Sequence, residues 1–212
     1  MQFGMYIDQS RCTGCYACVV ACKDWHDIPA GPASRIRLKT VEKGGFPDIF
    51  VSFLPITCYH CQAPDCESVC PTGAITKRDE DGIVTVNREI CDGHDECGLC
   101  LEACMYEAPQ FEAEQDAKMH KCDLCIDRWA VGKKPACVSS CPLDAMDAGP
   151  MDELIEKYGD IRDAEGFIDS DTMKPSITYK PRKDNKNLDI LRVEIMPRPR
   201  SADPEKGEKN ND

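Results

Sequence analysis

Four cysteines fall within eleven residues, Cys12 to Cys22 (CTGCYACVVAC), at the spacing C-x2-C-x2-C-x3-C. A cubane iron–sulfur cluster needs four soft thiolates converging on one small volume. Cys12, Cys15 and Cys18 read as one tight loop able to wrap three corners of such a cube. Cys22 opens a helix and points away, toward a second cluster elsewhere in the chain. A second, incomplete cysteine set must then exist to exchange a ligand with this one.

Three further sets follow. Cys58, Cys61, Cys66 and Cys70 are spaced C-x2-C-x4-C-x3-C and closed by Pro71. Cys91, Cys97, Cys100 and Cys104 are spaced C-x5-C-x2-C-x3-C, and Cys122, Cys125, Cys137 and Cys141 are spaced C-x2-C-x11-C-x3-C and closed by Pro142. The fourth set alone would also suit a tetrahedral zinc ribbon. The first would not, because its third thiol lies at i+6 on the same loop, where a cube face fits better than two opposed knuckles. Repetition of the pattern favours clusters over a zinc-stabilised interaction module. Disulfide scaffolds are shorter chains behind a signal peptide, whereas this chain opens MQFGMYIDQSRC, with neither a basic nor an apolar leader region.

No stretch approaches the roughly 18 apolar residues of a membrane span. The expectation is no direct membrane insertion and a cytoplasmic location by its own sequence. A periplasmic location would require export with a partner carrying a twin-arginine signal. The formal net charge is −12, and four cubanes with their thiolates would add about −8 more. Such a surface repels nucleic-acid phosphates. Its acidity serves solubility, or docking on basic patches of a redox partner.

Residues 3–8 (FGMYID) read as a short strand entering the first cysteine loop, and 48–56 (DIFVSFLPI) as a strand feeding the second. Between them, 41–46 (VEKGGF) carries a Gly-Gly turn. AITKRDEDGIVTVN predicts two short strands about an Asp81-Gly82 hairpin. Residues 151–158 (MDELIEKY) predict an amphipathic helix ended by Gly159. Residues 174–200 hold eight basic and three acidic side chains with Pro175, Pro181, Pro197 and Pro199, which predicts an extended arm. That arm either folds back on its own body or lies along a larger subunit, the reading preferred. The last dozen residues are polar, with no apolar anchor.

Cysteine loop plus hairpin thus reads as a fourfold internal repeat. Two loops make one bacterial-type two-cluster ferredoxin unit, so the predicted fold is α+β with two such units, one inserted in the other, and an extended C-terminal arm. The first unit is discontinuous, 1–45 with 113–150; the second is 46–112; the extension is 151–212. His60 and His120 adjoin cluster cysteines and are candidates to donate hydrogen bonds to sulfur. His94-Asp95-Glu96 reads as a three-residue insertion ahead of Cys97, with ligation by His94 the disfavoured alternative. Trp25 and Trp129 read as residues that pack against clusters.

YIDQSRCTGC, VACKDWHD, CPTGAITKR, ACMYEAPQF, KCDLCIDR, GKKPACVSSCPLDAMDAGP and DELIEKYGD, in that order, resemble the iron–sulfur electron-transfer subunit of the dimethyl sulfoxide reductase family. The resemblance implies four [4Fe-4S] clusters acting as a wire. It implies a large molybdenum- or tungsten-pterin catalytic subunit at one end and a membrane quinone subunit or soluble redox carrier at the other. It also implies the ligand sets by position. Cys12, Cys15 and Cys18 join Cys141; Cys22 joins Cys122, Cys125 and Cys137. Cys58, Cys61 and Cys66 join Cys104; Cys70 joins Cys91, Cys97 and Cys100. The chain departs from the family pattern in the third set, where the insertion 94–96 widens the first spacing and Met105 replaces a usual proline. The reading is a non-catalytic electron-transfer subunit, with a free-standing polyferredoxin as the alternative.

Overall fold

In the computed structural model residues 1–114 and 116–196 are described. The strand that joins the most distant parts of the chain is β1 (Phe3–Asp8), whose alternation buries Met5 and Ile7 on one face and Tyr6 on the other. It pairs antiparallel with β6 (Met146–Pro150) and parallel with β7 (Ile177–Lys180). The segments flanking the first and fourth cysteine sets therefore meet edge to edge. Helix α6 (Met151–Tyr158) ends at Gly159, with φ of 87°, and buries Met151 and Leu154 against this sheet. Tyr158 stacks on Tyr6 with ring centroids 3.7 Å apart.

A second sheet has the order β3-β2-β8. Strand β2 (Ile36–Gly45) pairs along its whole length with β3 (Asp48–Thr57), and β8 (Ile190–Met196) covers its other edge. The turn falls at Phe46-Pro47, not at the Gly-Gly pair, which closes β2. Strands β4 (Ile75–Lys77) and β5 (Val84–Val86) form the hairpin expected around Asp81-Gly82. The remaining helices are short and sit at cysteines: α1 (Ala17–Trp25), α2 (Asp65–Ser68), α3 (Leu99–Ala103), α4 (Ile126–Trp129) and α5 (Ala136–Ser139). The architecture is mixed α+β. Among the described residues no helix is long and apolar enough to cross a membrane.

Three expectations need correction. Helix α1 starts before Cys18, so only Cys12 and Cys15 lie on the loop; Cys18 and Cys22, four residues apart, share one buried helix face. The loop-plus-hairpin repeat is uneven: a single isolated bridge, Gln110 to His120, stands after the third set, and one strand, β6, follows the fourth. The C-terminal arm does not project over 174–196 but folds back on the body, the alternative reading. Ile177, Thr178 and Tyr179 are fully buried beside β1, and 190–196 pairs with β2. Proline and basic residues suggested an arm, but four consecutive residues free of proline sufficed for a core strand. The residues beyond 196 lie outside the described residues.

Candidate metal centres

Left-handed backbone lets the cysteine loops close. Gly14, with φ of +71°, turns the first loop so tightly onto β3 that a Cβ there would lie 2.6 Å from the Phe53 ring. Tyr16, Leu124 and Cys125 also adopt positive φ at the loop-to-helix junctions. These turns bring the sixteen free cysteines into four groups. Cys12, Cys15, Cys18 and Cys141 line one small cavity. Cys58, Cys61, Cys66 and Cys104 line a second, and Cys70, Cys91, Cys97 and Cys100 a third. Cys22, Cys122, Cys125 and Cys137 lie within one another's electrostatic reach as a fourth group. Helix pairing makes this exchange geometrically cheap: α1 packs on α5 and α2 on α3, so cysteines four residues apart, on or just beyond one helix, are delivered to different groups.

Burial raises several of these thiols, and the neighbouring sulfurs raise them further. Burial, then Cys12 and Cys141, push Cys18 up to about 12. Burial, then Cys58 and Cys104, do the same to Cys61, and burial, then Cys91 and Cys97, to Cys100. Burial followed by Cys122, Cys22 and Cys125 holds Cys137 well above its ordinary value. Four such thiols ionise together only around a positive charge. The iron of a cubane supplies that charge to soft sulfur donors, so the donor sets fit the group.

Backbone amides are aimed at several of the sulfurs. Cys58, Cys122, Cys104 and Cys141 accept from the N–H groups of His60, Leu124, Ala108 and Ala145 at 3.5, 3.4, 3.5 and 3.3 Å. Two side chains the sequence reading missed also reach sulfur. Buried Lys121 places Nζ 3.6 Å from Cys58 Sγ and 2.7 Å from the Cys122 carbonyl, while also donating to the Val84 carbonyl. His26 Nε2 lies 3.4 Å from Cys125 Sγ. Their signal in the sequence is only adjacency, Lys121 to Cys122 and His26 to the end of α1.

The histidines that were singled out behave differently. His60 accepts the Val84 N–H at Nδ1, 3.0 Å away, and it is its main-chain N–H, not its ring, that serves Cys58. Burial, then Lys121, holds its pKa well below the usual value. His120 Nε2 is 3.9 Å from Glu112 Oε1, and burial first, then Arg88, lowers its pKa to about 4. His94 packs edge-on against Phe111 at 5.0 Å, outside the cysteine-lined cavity. Trp25 lies half-exposed under Arg128 at 4.4 Å, and Trp129 packs edge-on to Phe3 against the larger core.

Two family models, each described as a 4Fe-4S dicluster domain, match residues 49–151 and 11–74. The chain is 43% identical over 193 residues to the B component of the anaerobic dimethyl sulfoxide reductase of Escherichia coli, covering 87% of this chain and 91% of that one. It is 40% identical over 154 residues to a thiosulfate reductase electron transfer subunit of Salmonella typhi (72% and 78%). It is 37% identical over 205 residues to the B component of the sulfite dehydrogenase of Allochromatium vinosum (86% and 84%).

Proposed function

The chain belongs to the iron–sulfur electron-transfer subunits of the dimethyl sulfoxide reductase family, and from that we infer that it carries four cubane clusters as a wire. It is a non-catalytic electron-transfer subunit of a molybdopterin oxidoreductase, its relatives being named B components or electron transfer subunits of reductases and dehydrogenases. The observation that carries the count of four is the sorting of sixteen free thiols into four quartets, each mixing three cysteines of one set with one of another.

The ligand sets we propose are those quartets: Cys12, Cys15, Cys18, Cys141; Cys22, Cys122, Cys125, Cys137; Cys58, Cys61, Cys66, Cys104; and Cys70, Cys91, Cys97, Cys100. Each cluster, when bound, accepts and passes on one electron. The chain's own residues fix the spacing, exclude water and point amides at sulfur, which sets each potential. We read 1–45 with 113–150 as one ferredoxin unit and 46–112 as the unit inserted in it. Pairing of β1 with β6 supports this, because it closes the first unit across the insertion. The partner at one end is a large molybdenum- or tungsten-pterin catalytic subunit, in keeping with the complexes for which the relatives are named. At the other end stands a membrane quinone subunit or a soluble carrier. The relatives' names disfavour the free-standing polyferredoxin.

The pairing has a sharp test, since Cys137 and Cys141 lie four residues apart yet serve different quartets. In low-temperature EPR of the reduced protein, Cys137→Ser and Cys141→Ser should each remove or alter a different signal. Loss of the same signal in both would sink the assignment and the two-unit architecture with it.

A further inference from the structure

His26 lies just past α1 with its ring between Arg35 and Cys125. Nδ1 is 3.2 Å from Arg35 Nη1, and Nε2 is 3.4 Å from Cys125 Sγ. A guanidinium has only donors, so Nδ1 must accept. The single proton of the neutral ring then sits on Nε2, aimed at sulfur. Arg35 is itself anchored: Nη1 also donates to Asp123 Oδ2 at 2.7 Å. The other carboxylate oxygen, Asp123 Oδ1, accepts the backbone N–H of Cys125 at 2.9 Å. Oδ1 stands 3.7 Å from His26 Nε2, beyond hydrogen-bond reach. The His26 and Arg35 side chains are 10% and 14% exposed, so water competes little for these bonds.

We infer that Asp123, Arg35 and His26 form a positioning relay that fixes the His26 tautomer and delivers one N–H to Cys125 Sγ, raising the potential of the cluster that Cys125 ligates. The inference rests on the reading of Cys125 as a ligand together with Cys22, Cys122 and Cys137. Reduction adds negative charge to the cluster and its sulfurs, so a donor on sulfur stabilises the reduced state more than the oxidised one. His26, Asp123 and Cys125 do bring three donor atoms within 4.8 Å of one another, as a lone metal ion would require. The guanidinium that contacts two of the three repels such a cation and occupies the free nitrogen of the ring, so the relay explains the cluster of groups better.

The test is an EPR-monitored redox titration of the full chain in its native complex. Cys125→Ser first identifies the signal that depends on this thiolate; if no signal responds, the ligand reading fails and the relay is not what failed. In His26→Phe, with iron content unchanged, that signal alone should titrate at lower potential. A tenfold loss in the equilibrium favouring reduction corresponds to about 59 mV for one electron. Arg35→Met should shift the same signal in the same direction and at least as far, because it frees the tautomer, releases Asp123 and removes a positive charge that acts on Cys22; His26→Gln, which keeps an N–H donor, should recover part of the His26→Phe shift. An unchanged midpoint in His26→Phe at full iron content overturns the relay. Should that variant lose iron, the unmodified protein decides: its Cys125-dependent signal must show an exchangeable proton coupling, lost in deuterated water, and a nitrogen coupling that labelled histidine alters. Absence of both overturns the relay as well.

Discussion

At the scale of single residues the most consequential side chain outside the cysteines is Lys121. Its ammonium is buried, and among the described residues no carboxylate pairs with it; its partners are two carbonyls and the Cys58 sulfur. A buried charge without a counter-charge costs several kcal/mol. The thiolates around it supply the counter-charge, since Lys121 also acts on Cys66 and Cys104. Lys121→Met should therefore lower the midpoint of the Cys58, Cys61, Cys66, Cys104 cluster. Each 1.4 kcal/mol of lost preference for the reduced state is worth about 59 mV for one electron. An unmoved midpoint in EPR titration would place the counter-charge elsewhere. His94→Ala, by contrast, should keep all its iron by chemical analysis and lose only about 1 kcal/mol of edge-on packing against Phe111. The cysteines were legible in the sequence because cluster chemistry dictates their spacing. Lys121 and His26 were not, because each reaches a sulfur 63 or 99 residues away, and no periodicity marks a contact made only in space.

At the scale of elements, β1, β3, the β4–β5 hairpin and α6 were readable from alternation, turn residues and an amphipathic stripe. Strand β2 was missed, because its lysines and Arg37 disguise a strand whose charged ends reach past the sheet; Arg37 itself is buried and donates to the Tyr106 and Glu107 carbonyls. The same disguise hid β7. Its place in the core decides what a truncation would do. Removing everything after Thr172 takes away buried Ile177 and Tyr179 and the Lys180 partner of Asp8, so it should destabilise the β1 sheet and the first cysteine loop rather than trim an arm. Asp8 is the joint: it accepts from the backbone of Ser10 and Arg11 and pairs with Lys180 at 3.2 Å while only 4% exposed. Burial raises its pKa, but the Ser10 hydroxyl and the Lys180 ammonium outweigh burial and leave it below the usual carboxylate value. A depressed folded pKa contributes stability that is fully present above the unfolded value, about 3.9, and is lost as pH falls through the folded one. Asp8→Asn should cost about 1–3 kcal/mol at neutral pH and flatten the acid limb of a denaturant-midpoint profile. A profile that keeps its full acid slope in Asp8→Asn would assign that slope to other carboxylates.

At the scale of the whole molecule the quartets fall into an order that spacing alone does not contain. Cys18 and Cys22 on α1, with Cys137 and Cys141 about α5, tie the first quartet to the second. Lys121 and the mutual influence of Cys122 and Cys58 join the second to the third. Cys66 with Cys70, and Cys100 with Cys104, join the third to the fourth. On the proposed ligand sets the order is linear, with Cys15 exposed in the first quartet at one end and apolar Val69, Ile90 and Leu99 exposed about the last at the other. A wire with two open ends stores a few electrons but converts nothing. The isolated chain should therefore show reversible one-electron chemistry and no turnover of any oxidised substrate. Drawn from its native source under anaerobic conditions, it should bring with it a much larger molybdenum- or tungsten-containing polypeptide in one-to-one ratio. Reducing equivalents supplied to the complex should reach that metal only while every quartet is intact. Cys58→Ser, at the junction of the second and third quartets, should slow this transfer by orders of magnitude while both ends still titrate. A native preparation that is monomeric and partnerless would leave a free polyferredoxin, and a metal still reduced at full rate through the broken junction would remove the linear order of the wire.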